Sequence, residues 1–270
     1  MEELLTQVAR EVQSKYYGKY RGLVVDNADP EQRGRLRLKV PSALGDSVTG
    51  WALPCLPFGG LKDQGLFLVP EVDSQVWVEF EEGDLSQPLW TGTFWQAQSD
   101  PPAEAALDEP TTRLLKTPSG HLIQLDDADG EERFFLQHPA GTELEIDSAG
   151  TVALTDAGGN TVTLDAEAGE IVIEDANGNK IEMTSSGTTV EDANGNKIEM
   201  AGSGVTVEGQ KIVVKGTQVA LAGEGGEPLI KGQSFLQAFA SHTHPHPMGP
   251  TGPPVPPPMP TLLSQKVTTS

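Results

Sequence analysis

The side chains best equipped for chemistry lie near the C-terminal end, where His242, His244 and His246 alternate with Thr243 and Pro245. In an extended segment residues two apart share a face, so His242 and His244 present their imidazoles together. Imidazole nitrogen suits divalent transition metals. Three chains meeting on an axis would bring six such nitrogens together, enough for one octahedral ion. His246 continues the spacing but stands between Pro245 and Pro247, which makes it the weaker ligand. The competing reading is a polar, proline-stiffened loop with imidazoles in water. Both readings stay open at the level of sequence.

Carboxylates are the other abundant reactive group, with 39 Asp+Glu in 270 residues. Glycoside hydrolysis needs one pair of carboxyls made unlike by their surroundings. Nothing in the spacing singles out such a pair, so no catalytic residue is assigned and no enzymatic activity is expected. Asp175-Ala176-Asn177-Gly178-Asn179 resembles the start of a calcium loop but lacks the bidentate Glu at the required distance. Turn chemistry alone explains it. Cys55 is the only cysteine, which excludes an intramolecular disulfide and a cysteine-based zinc cluster.

The formal charge of −21 argues against nucleic-acid binding, which needs a basic face, and against an anionic membrane surface. No apolar run is long enough to span a bilayer. The opening Met-Glu-Glu is the opposite of a basic signal-peptide start, so synthesis in the cytoplasm is expected. Residues 16–96 carry eleven acids and seven bases, whereas 114–230 carry twenty-one acids and six bases. Residues 231–270 have no acid and nine prolines. Residues 97–113 are rich in Pro and Ala without apolar alternation and read as a linker.

These shifts divide the chain. Leu4, Leu5, Val8 and Val12 are spaced for a short helix within a segment 1–15. From residue 16 the period becomes two. Gly22–Val25, Arg35–Val40 and Gln75–Phe80 read as strands, with further strands at 48–53 and 89–94. In Arg35–Val40, Leu36, Leu38 and Val40 fall on one face and Arg35, Arg37 and Lys39 on the other, taken as a solvated side. Five short strands in about eighty residues suit a small barrel of the OB type. The bases beside Trp51 and Trp77 invite a nucleic-acid reading, but the region is net negative, and the Trp and Phe rings are expected in the core.

Specific motifs then appear. Tyr17 to Leu36 runs YGKYRGLVVDNADPEQRGRL; Trp51 to Pro54, Pro70 to Asp84 and Pro88 to Gly92 follow in order. This series resembles the OB-fold of contractile-injection baseplate spikes, the VgrG-like and phage baseplate assembly protein V group. Some phage relatives carry a lysozyme domain after the barrel. Here only about seventeen residues separate Trp95 from Arg113, too few for one.

Residues 174–183 and 191–200 are both EDANGNKIEM, seventeen positions apart, with degenerate copies at 156–164 and 126–130. Short alternating segments such as His121–Leu125, Leu144–Ile146, Val152–Leu154, Ile171–Ile173 and Val205–Val207 lie between Asn-Gly turns, a β-solenoid signature. Each strand offers only two or three apolar residues on one side. One chain alone would bury a thin core, whereas three around an axis would share one.

The expected architecture is therefore all-β: an OB-fold barrel at 16–96, then an intertwined trimeric β-helix needle at 114–230, then a Pro/His-rich tip at 231–270. A last strand, followed by a short helix or turn, is expected within 227–241. The triple-stranded β-helix is also what the resemblance implies. It further implies a homotrimeric structural spike, docked through the barrel on hub or tube-initiator proteins. Its C-terminal end would carry an iron bound by His242 and His244, or seat a PAAR-type tip protein, and would meet the target-cell envelope. Alternatives are a trimeric receptor-binding adhesin and, less favoured, a β-helix enzyme acting on polysaccharide.

Overall fold

Alternation in the first strands dictates a barrel, and the computed structural model, which describes residues 1, 15–105, 108–217 and 232–253, has one. Strands β1 (Tyr20–Asp26), β2 (Arg37–Lys39), β3 (Leu53–Pro54), β4 (Gln75–Phe80) and β5 (Pro88–Thr93) form a sheet ordered β2-β1-β4-β5-β3. Bridges Leu36↔Ala52 and Lys39↔Val48 join the β2 edge to the segment entering β3, which closes the sheet. A single helical turn, α1 (Pro41–Leu44), follows β2. Every second residue faces inward: Leu36, Leu38 and Val40 on one side, Val76, Val78 and Phe80 on the other, with Val24, Ala52 and Trp90 completing the core.

Two expectations need correcting. Of the aromatic rings, Trp90 is buried, but Trp95, Phe58 and Phe67 are exposed. Trp77 packs outside the core against Phe94 and under Arg21. Arg35 is not on a solvated face either. Its guanidinium is 2.7 Å from the Asp29 carboxylate, and their side chains are only 12% and 3% exposed. Asp29 also accepts backbone N–H bonds from Glu31, Arg33 and Arg35, and so closes the loop between β1 and β2. Trp90 Nε1 donates to the Gly34 carbonyl at 3.0 Å from inside the barrel. The Asp-Pro…Gly-Arg spacing is thus one clamp that pins a loop to the core.

The second region is a meander. Strands β6 (Thr112–Lys116), β7 (Leu122–Asp126), β8 (Arg133–Gln137), β9 (Glu143–Ile146), β10 (Val152–Thr155), β11 (Thr161–Asp165), β12 (Glu170–Glu174), β13 (Lys180–Thr184), β14 (Gly187–Glu191), β15 (Lys197–Ala201) and β16 (Gly204–Glu208) lie in sequence order in one eleven-stranded sheet. The seventeen-residue repeat is one strand pair with its two turns. The sheet begins at Thr112, inside the expected linker, whose 3-10 turn Ala103–Ala105 ties to β6 through Lys116 and Glu104 at 2.5 Å.

A separate unit from Glu208 onward contains α2 (Gly232–Ser241), the helix expected before the histidines. The helix expected within 1–15 and the strand expected near 227–231 lie outside the described residues.

The Arg35 hydrogen bonds hold the Asp29 carboxyl far below its ordinary 3.8. A depressed carboxylate contributes stability that is present above its unfolded-state value and lost as pH falls through the native one. Asp29→Asn is therefore expected to lower the barrel's melting temperature at about pH 7, with a deficit that shrinks below about pH 4. Tryptophan fluorescence reads this selectively, because all four Trp lie in residues 51–95. An equal deficit at both pH values would mean that the charge is not the cause.

Candidate functional site

Cross-strand neighbours in an antiparallel sheet share a face, so the registers of the meander sort its side chains without ambiguity. One row runs Leu115, Ile123, Leu136, Leu144, Leu154, Val162, Ile173, Ile181, Val190, Ile198 across ten strands. Two residues along each strand, a parallel row runs Arg113, Leu125, Phe134, Ile146, Val152, Leu164, Ile171, Met183, Thr188, Met200. All but two of these twenty positions are apolar. Eleven of them remain 36–45% exposed in the single chain. The backbone ladder is satisfied within the chain, so what the sheet leaves open is this face.

The opposite face is mostly polar, with Leu114, Leu122, Phe135, Ala153 and Val172 as its apolar members. Glu174, Lys180, Glu191 and Lys197 stand directly across from one another on consecutive strands, with charges alternating along the row. Opposite charges placed this way support the pairing, and Lys197 also reaches Glu199 at 2.7 Å.

The repeated turns line one edge. In each, the Asp accepts from its own turn: Asp175 from the backbone N–H of Asn177 and Asn179, both at 2.9 Å, and from the side-chain amide of Asn179 at 2.7 Å. Asp192 is bonded likewise by Asn194 and Asn196. The Asn side-chain carbonyls then link successive turns, with Ala176 N–H donating to Asn160 and Ala193 N–H to Asn179. Gly178 and Gly195 take φ of 89° and 80°, which explains the glycine at that place. Hydrogen bonds from Asn160, Asn179 and Asn196 lower the carboxyls of Asp156, Asp175 and Asp192. These carboxylates serve the turn.

His121 and His138 escaped the sequence reading. They occupy adjacent turns of the same edge, with ring centroids 4.8 Å apart. Their separation equals the repeat offset, the signal that would have found them.

In the C-terminal unit, His242 follows α2 directly. Its ring stacks on Phe239 at 4.8 Å and meets the His244 ring edge-on at 5.3 Å. His242 Nδ1 lies 2.6 Å from the Phe239 carbonyl. A carbonyl carries no proton, so Nδ1 donates and Nε2 keeps its lone pair free. His246 has the reverse arrangement: its Nδ1 accepts from Met248 N–H. Among the described residues no group of three or more His, Cys, Asp or Glu within one chain could hold a metal. No helix among them is long and apolar enough to cross a membrane.

Comparison with known proteins agrees with this division. Residues 20–95 match the type VI secretion system/phage-baseplate injector OB domain, and residues 151–213 match the phage baseplate V C-terminal trimerisation domain. Among solved structures, the microcephaly protein CPAP G-box domain is 16% identical over 37% of this chain and 69% of its own, with a TM-score of 0.26. The TCP10 domain of Danio rerio CPAP, in complex with a STIL peptide, is 11% identical over 38% and 71%, with a TM-score of 0.24. The TCP domain of Drosophila melanogaster SAS-4, in complex with a proline-rich motif of Ana2, is 12% identical over 43% and 99%, again at 0.24. Likenesses at this level carry no argument.

The apolar face makes a sharp prediction. Ile181 and Ile198 share its first row, so Ile→Asp at either would place three unpaired carboxylates in one buried layer of a trimer. Light scattering should then report loss of the trimer. Thr189→Lys, on the polar face across from Glu182 and Glu199, should leave it intact. A normal trimer with Ile181→Asp would mean that the apolar face is not the assembly face.

Proposed function

From the membership of this chain in the phage baseplate V, spike-type proteins, we propose that it is the central spike of a contractile injection machine. It is a structural protein of a phage tail or related injection particle, and its trimerisation domain makes it a homotrimer. In the reading proposed here the barrel docks on the hub at the end of the tube. Three meanders pack their apolar faces together as a needle, and contraction drives that needle through the target envelope. The role is mechanical, without catalysis, and the chain is made in the cytoplasm before assembly.

The observation that carries this reading is the apolar face that runs over ten strands, one row of it unbroken from Leu115 to Ile198 and the second broken only at Arg113 and Thr188. At about 4.8 Å per strand the ladder extends roughly 50 Å. Hydrogen bonds run along that length on every face, and the polar rows stay in water. Labelling the chain on purified particles tests the role. Label should appear at the baseplate end of extended particles and vanish in an Ile181→Asp variant, with infection or killing lost in parallel. Particles that assemble and act normally without the chain would refute it.

The tip residues fit a metal in one respect. In His242 the hydrogen bond from Nδ1 to the Phe239 carbonyl fixes the tautomer that leaves Nε2 as donor, the usual support of a ligating imidazole. His246 spends its Nδ1 lone pair on Met248 N–H. We assign His242 and His244 from each chain as ligands, with iron as the candidate. A divalent ion there would cross-link the three chains. A separate PAAR-type protein is the alternative cap.

Purified trimer without a His-tag should hold about one transition-metal ion per three chains. His242→Ala with His244→Ala should abolish it, and His246→Ala should not. Binding should weaken at low pH because the ligating imidazole must be unprotonated. Elemental analysis decides, and metal that washes out with a mild chelator leaves these residues as an ordinary loop.

A further inference from the structure

The barrel carries an apolar feature that neither its core nor the matched trimerisation domain uses. Between β3 and β4 the chain makes a long excursion whose two arms meet where Leu66 N–H donates to the Phe58 carbonyl at 3.1 Å. Gly59 and Gly65 face each other there, and a Cβ on Gly59 would already touch the Gly65 Cα at 3.6 Å. The arms therefore run close together and project a tip. Phe58 beside it is 62% exposed and Leu61 on it 74%, a high exposure for apolar side chains on an ordered loop.

At the base of the same excursion lies a groove of about 970 Å³ lined by Cys55, Leu66, Phe67, Leu68 and Trp90 and, from the meander, Leu115. Leu115 is also the first residue of the apolar row that continues through Ile123 to Ile198. The groove is thus continuous with the face that the trimer covers. Charges match as well. Lys62 and Asp63 follow Leu61 at the tip, and Glu71 and Lys116 stand at the groove, Lys116 being already paired with Glu104. Among the described residues Lys62, Asp63 and Glu71 have no ion-pair partner within the chain.

We propose that the Phe58–Leu61 tip of one chain docks in the groove of the next, so that three barrels close into a head-to-tail ring. A projection and a complementary pocket on one chain make a heterologous contact, which closes only if the rotation does. The trimerisation domain supplies the three-fold rotation, and this inference rests on that trimer. The contact extends the interface beyond residues 151–213 onto the barrel and completes a groove that one chain leaves open.

Cys55, the only cysteine, lines the groove and permits a direct test in the full-length protein. Leu61→Cys should form disulfides with Cys55 of the neighbouring chain under mild oxidation. Non-reducing denaturing gels should show covalent dimers and trimers, and these should disappear when Cys55→Ser is added. Light scattering of the same sample reports the trimer independently. A trimer that yields only single chains on the gel overturns the ring while leaving the spike reading intact; a monomer by light scattering overturns both. As a second arm, Leu61→Asp should lower the barrel's tryptophan-monitored melting temperature and leave the trimer assembled. An unchanged melting transition in the free trimer, with assembly into particles lost, would assign the tip to a baseplate partner and overturn the ring.

Discussion

A single β layer has nothing to pack against, and the rest of this chain is organised around that fact. The meander satisfies its backbone ladder internally and leaves one side of Ile, Leu, Val, Met and Phe facing water. At about 25 cal/mol per Å² of apolar surface, covering such a face is the largest favourable term the region has. Among the described residues, eleven of the apolar side chains on this face stay 36–45% exposed in one chain, so the second layer is still to be supplied. Copies of the chain provide it, and the folded state of the region becomes inseparable from association.

The same constraint explains where the acid goes. With one face given to assembly, the other face and the turn edges must carry the solubility. They do so in ordered form, with charges alternating from strand to strand and Asp carboxylates saturated by turn N–H groups. A net charge of −21 per chain would oppose association if it lay on the shared face. Arg113 is the only charged residue in the two apolar rows, and it lies at their first strand beside Asp127.

Much of this was legible in the sequence, for identifiable reasons. The alternation of Leu36, Leu38 and Val40 fixes the inward side of β2 because period two has only one reading. The repeat fixes the equivalence of Ile181 and Ile198, because two strands and two turns bring the chain back to the same face. What escaped depends on distance in space. The Asp29–Arg35 clamp looks like a turn acid and a solvated base until the loop between them closes. His121 and His138 meet only because their turns are neighbours on one edge. Phe58 and Phe67 read as core because a ring's burial depends on what stands over it, and nothing in one chain does.

The C-terminal unit follows a different logic from the meander. The needle needs many weak, equivalent contacts, and a repeat of one strand pair provides them cheaply in sequence. In the C-terminal unit the chain changes character: the acid stops after Glu227 and prolines accumulate. A short helix brings Phe235, Phe239 and His242 into one stacked series. Those rings stand at helix spacings of four and three, the interval of a packing seam, and the seam ends on an imidazole whose free nitrogen is set by the helix's own carbonyl. Within this unit, stacked rings and directional bonds from a few side chains take the place of a repeated apolar row.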